Sequence, residues 1–206
     1  MELQNSSSSF NEYHVKVLVI GDPLTGKSTF ISTFVDYGTP FETLCGNLNS
    51  SQISYTTKLL KNLNSRPYDS FKFHIWEISD YDENRDLIRT YIENTQIVLL
   101  CFSLKNPDSL DSLNYWLYNK KNNVRYILIG LKSSSNNKIN PSEIKDLCKS
   151  CNLEYFEFYD TNYSRPTNIL KPFTMFLNDI YPKAEIIIER QNISMFNNIK
   201  NYCIIL

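Results

Sequence analysis

Eight residues near the amino end constrain this chain more than any others: Gly21-Asp22-Pro23-Leu24-Thr25-Gly26-Lys27-Ser28. Their spacing is G-x-x-x-x-G-K-[ST], the P-loop pattern. Val15 to Ile20 is an apolar run that reads as a buried strand feeding the loop, and Ser28 to Val35 reads as the start of a helix. The chemistry needs these residue types. Gly21 and Gly26 permit backbone turns that a Cβ would hinder, so successive N–H groups can converge on phosphate oxygens. The following helix points its positive end at the same anion. Lys27 would reach the β- and γ-phosphates, the Ser28 hydroxyl would ligate Mg²⁺, and Thr29 continues the cradle. An ordinary glycine-containing turn is the competing reading of the eight residues alone; the flanking strand and helix favour the phosphate loop.

Size and composition leave room for one domain with tails: 206 residues, of which 42% are hydrophobic. A formal net charge of -1 argues against a general nucleic-acid binder. Five cysteines, an odd count, suit free thiols in a reducing compartment. Cys148-Lys149-Ser150-Cys151 is a lone C-x-x-C, and the only histidines are His14 and His74. Two partly buried thiols at a helix end is therefore the better reading than a zinc or redox site. Met1 to Asn11 has no apolar core and does not read as a signal peptide. No apolar stretch reaches the length of a membrane span.

Along the chain, residues 1–12 read as a Ser/Asn-rich disordered extension, 13–182 as the domain and 183–206 as a flexible tail. Asp36 to Ser51 is a long loop of the functional or mobile kind. Ile53 to Lys61 and Ser70 to Ile78 read as two strands joined by a short turn, hence antiparallel. Asp86 to Asn94 looks helical, and Ile97 to Phe102 is a strand buried on both faces. Pro107 opens one helix carrying Leu110, Leu113, Trp116 and Leu117. Arg125 to Leu131 is a strand, Pro141 to Ser150 a helix, Leu153 to Tyr159 a strand and Thr167 to Tyr181 a final helix. The expected fold is α/β: a six-stranded, mostly parallel sheet with one antiparallel edge strand and helices on both faces. Ligands in such sheets sit at the carboxyl ends of the strands, where the P-loop lies.

The P-loop, this order of elements and the segment Ile75 to Trp116 together resemble the Ras superfamily of small GTPases. Ile75-Trp76-Glu77, and Leu100-Cys101-Phe102-Ser103-Leu104 followed by Pro107, Ser109 and Trp116, look Rho/Rac-like. The resemblance covers about Tyr13 to Tyr181 and the carboxyl end. The chain has no room between Lys132 and Tyr155 for the extra helix that typical Rho proteins insert. The resemblance implies GTP or GDP with Mg²⁺ as cofactors. It also implies effectors of actin organisation, exchange factors and a prenyl-binding chaperone as partners. Cys203-Ile204-Ile205-Leu206 is a C-a-a-X box whose terminal Leu predicts geranylgeranylation of Cys203. One lipid chain usually needs a helper, and Lys183 to Tyr202 supplies a net charge of only +1 by count. Ile186 to Ile188, Ile193, Phe196 and Ile199 either lay an apolar face on the bilayer or pack back on the domain. The expected location is the cytoplasmic face of a membrane, such as the plasma membrane, with a cytosolic pool.

Elsewhere the sequence departs from the family. Where members carry Asp-x-x-Gly and then Gln, this chain has Glu77-Ile78-Ser79-Asp80-Tyr81. Glu77 can still act on Mg²⁺ through water. A carboxylate of Asp80 about 5 Å from a γ-phosphate would be repelled by about 3 kcal/mol at an effective dielectric near 20, and facing outward it would cost much less. Tyr81 replaces the water-orienting Gln, which predicts slow hydrolysis. The first mobile loop should supply a Thr to Mg²⁺; Thr43 is the nearest candidate, and a plain loop hydroxyl is the alternative. The base-recognition loop reads Leu131-Lys132-Ser133-Ser134. Lys132 can lie along a base, but Ser134 stands where an Asp accepts two hydrogen bonds from guanine. At about 1.5–3 kcal/mol for each charged hydrogen bond, guanine binding weakens and guanine blurs against adenine. Asp160, in the loop after the sixth strand, is a candidate replacement.

These readings point to a prenylated Rho/Rac-like GTP-binding switch with weak or absent hydrolysis. In such a switch the nucleotide orders or releases the loops around 36–51 and 79–90. Two rivals stand beside it: a pseudo-GTPase that serves as a prenylated interaction module, and an ATP-using P-loop protein.

Overall fold

The apolar runs become the strands of one sheet. The computed structural model describes residues 11–37, 53–61, 69–79, 84–132, 137–159 and 168–180. Within them the order is β1 (Asn11–Gly21), α1 (Lys27–Asp36), β2 (Ile53–Lys61), β3 (Asp69–Ser79), α2 (Arg85–Ile92) and β4 (Ile97–Ser103). Then come α3 (Asp108–Asp111), α4 (Asn114–Tyr118), β5 (Arg125–Lys132), α5 (Pro141–Cys151), β6 (Glu154–Tyr159) and α6 (Lys171–Ile180). The strands lie in the order β2-β3-β1-β4-β5-β6. Every neighbouring pair is parallel except β2 with β3. The six-stranded mixed sheet with an antiparallel edge is thus as expected. β1 begins at Asn11, two residues inside the stretch read as an extension.

The chain leaves β1 to build β2 and β3 on one side, then crosses to build β4, β5 and β6 on the other. The reversal falls at the carboxyl end of β1, so the fold opens its crevice at the P-loop. Alternation decides which residue serves which layer. Val15, Val17 and Val19 join Phe73, Leu99 and Ile129 beneath α1 and α6. Leu18 and Ile20 join Leu100, Phe102 and Leu128 beneath α2, α4 and α5. Aromatic contacts seal the first layer: Phe34 stacks on Phe173 with ring centroids 3.7 Å apart, and Phe30 meets Phe158 edge-on at 5.2 Å.

One expectation fails. The helix opened by Pro107 is not continuous but splits into α3 and α4. The chain stays right-handed through Ser112 and Leu113, yet the bonds tighten to three-residue spacing, from Leu113 N–H to Leu110 O (3.1 Å) and from Trp116 N–H to Leu113 O (3.0 Å). Such tightening keeps the apolar face on the sheet while interrupting the regular α-helical ladder. By contrast α5 is built as its sequence asks. The Asn140 side chain accepts from Ser142 N–H, Pro141 opens the first turn, and Asn152 closes it in the left-handed region. Cys148 and Cys151 are half-buried free thiols in its last turn.

Candidate nucleotide-binding site

The loop between β1 and α1 has the shape its glycines permit. Gly26 takes φ 101°, and an added Cβ at Gly21 would come within 2.0 Å of the Cys101 carbonyl oxygen on β4. The loop therefore packs directly on backbone, which only glycine tolerates. Leu24 also sits in the left-handed region, at φ 60°, with its side chain fully exposed. That conformation costs a non-glycine residue about 1–2 kcal/mol.

Lys27 is the most telling side chain of the loop. It is only 3% exposed, and its Nζ donates to Gly21 O (2.9 Å) and Asp22 O (2.7 Å). The ammonium folds back over the loop, holding its carbonyls on one side and leaving the amide side for an anion. Thr25 adds a second strut, its hydroxyl donating to Asp22 O at 2.9 Å. Helix α1 starts at Lys27, its N-cap Gly26 offers no side-chain cap and its first turn has no acidic residue, so nothing in the helix itself competes for its N–H groups. The Asp22 carboxylate would repel a phosphate, but it accepts a hydrogen bond from Ser112 Oγ at 3.0 Å, at the α3–α4 junction.

On the neighbouring strand the Ser28 hydroxyl donates to Glu77 Oε1 at 2.7 Å. Glu77 pairs in register with Val19, which places its carboxylate beside the start of α1. A hydroxyl and a carboxylate in contact are the hard oxygen donors that Mg²⁺ selects, with room left for phosphate and water ligands. The residues present thus fit a magnesium-bound polyphosphate. Cys101, beneath the loop, takes no part: burial pushes its thiol up to about 12 against the opposing pull of Lys27.

Next to the cradle opens a cavity of about 90 Å³, bounded by Leu24, Gly26, Thr29, Leu131, Lys132 and Phe158. Leu131, which stands at the first position of the expected base-recognition loop, is buried and packs toward Gly26. Lys132 lies on the cavity wall, with its Nζ 4.9 Å from the Tyr159 ring centroid. Thr43, Asp80, Tyr81, Ser134, Asp160 and Cys203 lie outside the described residues.

Two residues were missed from sequence. Lys58 on β2 is 2% exposed, and its Nζ donates to Val35 O (2.6 Å) and Tyr37 O (2.7 Å), closing the carboxyl end of α1. Ser112 is the partner of Asp22 described above. The only available signal for Lys58 was a lysine inside a strand segment.

Comparison with known proteins fits this geometry. A family model described as the Ras family matches residues 16–182. The Ras-related protein RabT1 of Dictyostelium discoideum is 27% identical over 202 residues, covering 93% of this chain and 86% of its own length. The Ras-related protein Rab-39A of Homo sapiens is 26% identical over 187 residues, covering 86% of this chain and 83% of its own. The Ras-related protein Rab-2B of Dictyostelium discoideum is 25% identical over 194 residues, with 86% of each chain covered. These relatives carry Rab names, so the Rho/Rac affinity read from Ile75 to Glu77 and Leu100 to Leu104 is not supported. Leu100, Cys101 and Phe102 are fully buried between two helical layers, where packing sets residue type whatever the subfamily. Loop geometry, sheet order and family match agree, and the chain belongs to the Ras family of small GTP-binding proteins.

Proposed function

We propose that this chain is a membrane-anchored nucleotide switch of Rab-like rather than Rho/Rac-like kind, binding GTP or GDP with Mg²⁺. The observation that carries the proposal is the cradle itself: a buried Lys27 folded over the loop carbonyls, beside a Ser28–Glu77 oxygen pair. Gly21 to Thr29 would hold the phosphates, and Ser28 with Glu77 the metal, joined by Thr43 if the loop before β2 closes. Bound Mg²⁺ would offset phosphate charge and supply Lewis acidity at the terminal phosphate. The role on actin organisation, which followed from the Rho/Rac resemblance, loses its basis with the Rab-named relatives.

Turnover is expected to be very slow, because Tyr81 stands where the family orients its attacking water with Gln. A phenol cannot hold that water with a carbonyl and an amide at once. Single-turnover GTP cleavage by wild type and by Tyr81→Gln tests this; rapid cleavage by the wild type contradicts the role assigned to Tyr81. Exchange factors and effectors are the partners such a switch would use. Lipidation of Cys203 would attach it to the cytoplasmic face of a membrane. Cys203→Ser should shift the protein from the membrane pellet to the soluble fraction; identical partitioning of both forms excludes the anchor.

A second reading has specific support. Tyr81, Asp80 and Ser134 all depart from the family in the hydrolytic and base-binding halves of the site. A prenylated interaction module with a permanent nucleotide, or none, would need only the phosphate loop as scaffold. Nucleotide exchange separates the two: a switch exchanges bound nucleotide when Mg²⁺ is chelated, and a permanent complex does not.

A further inference from the structure

Far from the phosphate cradle the two histidines of the chain, His14 and His74, meet. They come from the neighbouring parallel strands β1 and β3, where Lys16 is the register partner of His74. Alternation puts both histidines on one face of the sheet. His14 Nδ1 lies 2.8 Å from His74 Nε2. The ring centroids are 5.1 Å apart and the planes differ by 27°, so the facing nitrogens lie between the rings, which meet edge to edge. The outer nitrogens are engaged too. The Glu12 carboxylate lies 3.4 Å from His14 Nε2, and Tyr55 OH lies 2.7 Å from His74 Nδ1. Each ring thus turns one nitrogen to the other ring and its second nitrogen to an oxygen. The His14 side chain is 58% exposed, so the gap between the rings is open to solvent.

We propose that His14 and His74 form a binding site for a divalent transition-metal ion of the zinc class, separate from the Ser28–Glu77 pair. The proposal stands apart from the nucleotide reading. Seven residues of strand separate His14 from Gly21, about 23 Å. Imidazole nitrogens suit zinc, nickel and copper, whereas Mg²⁺ selects oxygen. Zinc–nitrogen bonds of about 2.0–2.1 Å at a tetrahedral angle need nitrogens about 3.3 Å apart, so the pair must open by about 0.5 Å. An exposed His14 can move that far. In the metal-free pair one facing nitrogen must carry a proton, since two bare lone pairs repel. Glu12 draws the His14 proton to Nε2 and leaves Nδ1 as the acceptor; His74 Nε2 is then the donor. When an ion enters, the His74 proton passes to Nδ1, where the Tyr55 oxygen accepts it. A hydroxyl serves either tautomer, because it accepts as readily as it donates. Outer oxygen partners of this kind orient ligating histidines and raise their basicity. Of the charges acting on His74, Lys72 opposes a cation and Glu12 offsets it. Lys16 is turned aside, its Nζ 5.0 Å from the Trp76 ring centroid. Among the described residues no group of three or more His, Cys, Asp or Glu side chains gathers here. Water therefore fills the remaining positions of the ion, and binding is weaker than at a four-ligand structural site.

With two histidines in the chain, imidazole signals report on this site alone. The full chain, with its cradle kept in excess Mg²⁺, is titrated with zinc chloride and followed by the nitrogen and proton resonances of both imidazoles. Both rings should shift together, saturating at one equivalent with Kd below about 100 μM. His14→Asn and His74→Asn should each weaken zinc binding by at least about ten-fold. Glu12→Gln should weaken it by about ten-fold, as for loss of a carboxylate partner of a ligating histidine. Cys148→Ser should leave the titration unchanged, which separates the site from the thiols of α5. Further Mg²⁺ should move neither ring. The shifts are read on wild type, so they stand even where a variant folds poorly. Imidazole signals that do not move, that move for one ring alone, or that saturate only above about 100 μM overturn the proposal. So does a His14→Asn variant that binds zinc as wild type does.

Discussion

The contact between Gly21 and β4 gives the sharpest test of how the phosphate loop is held. A Cβ at Gly21 would lie 2.0 Å from Cys101 O and 3.0 Å from Cys101 C, both backbone atoms of a buried strand. Neither can rotate away, so Gly21→Ala must push the end of β1 from β4. Forcing such a group into a packed interior costs about 1–3 kcal/mol. The shift also draws Gly21 O from Lys27 Nζ, now 2.9 Å away, and shortening a buried ammonium of an acceptor adds about 1–3 kcal/mol. The expected total is about 3 kcal/mol, which in a chain of this size lowers the melting temperature by about 6–12 °C. Gly26→Ala is the control. Its Cβ would meet nothing nearer than Leu131 Cδ1 at 3.8 Å, so only the left-handed backbone at φ 101° penalises it, by about 1–2 kcal/mol. Thermal and urea melts at a fixed nucleotide concentration compare the two. A Gly21→Ala variant that loses no more stability than Gly26→Ala would refute the packing argument.

Other consequences follow from the same geometry. Lys58→Met keeps the side-chain length but removes both bonds to the end of α1, and should cost about 2–4 kcal/mol in urea denaturation. His74 sits in a chain of polar contacts across three strands, with Tyr55 OH at 2.7 Å from its Nδ1 and His14 Nδ1 at 2.8 Å from its Nε2. Burial first, then the neighbouring His14 and Lys72, hold His74 below its ordinary value near 6.5, against the opposing pull of Glu12. The folded state thus favours neutral imidazole, so its stabilisation is present above about pH 6.5 and is lost as pH falls through the folded value. Thermal melts of His74→Asn across this range should show a shallower acid slope than wild type; parallel slopes contradict the assignment.

How much of this was legible in sequence depended on whether one segment carried the whole signal. β4, β5 and the carboxyl half of β1 are buried on both faces, so apolar runs announced them to within a few residues at their ends. The phosphate loop was equally plain, because its geometry is dictated by Gly21, Gly26 and Lys27 at fixed spacing. The break between α3 and α4 was invisible: Leu110, Leu113, Trp116 and Leu117 keep the same face on the sheet whether or not the backbone bonds tighten at Leu113. Lys58 lay unremarked inside a strand segment, since nothing local reveals that the end of α1 lies within reach of its Nζ. The Asp22–Ser112 bond joins residues 90 positions apart and was likewise beyond local pattern. For Rab against Rho/Rac the difficulty was of another kind. The segments that suggested the latter are core strands, whose residues answer to packing before they answer to function.

The central claim is that the loop from Gly21 to Ser28 grips a polyphosphate under the Lys27 ammonium. The most direct measurement is the nucleotide released when purified full chain is denatured in acid, for wild type and for Lys27→Met side by side. A stoichiometric purine nucleotide from the wild type and little from the variant is the predicted result. Equal release from both proteins, or no nucleotide from the wild type together with no thermal stabilisation by GTP and Mg²⁺, would contradict it.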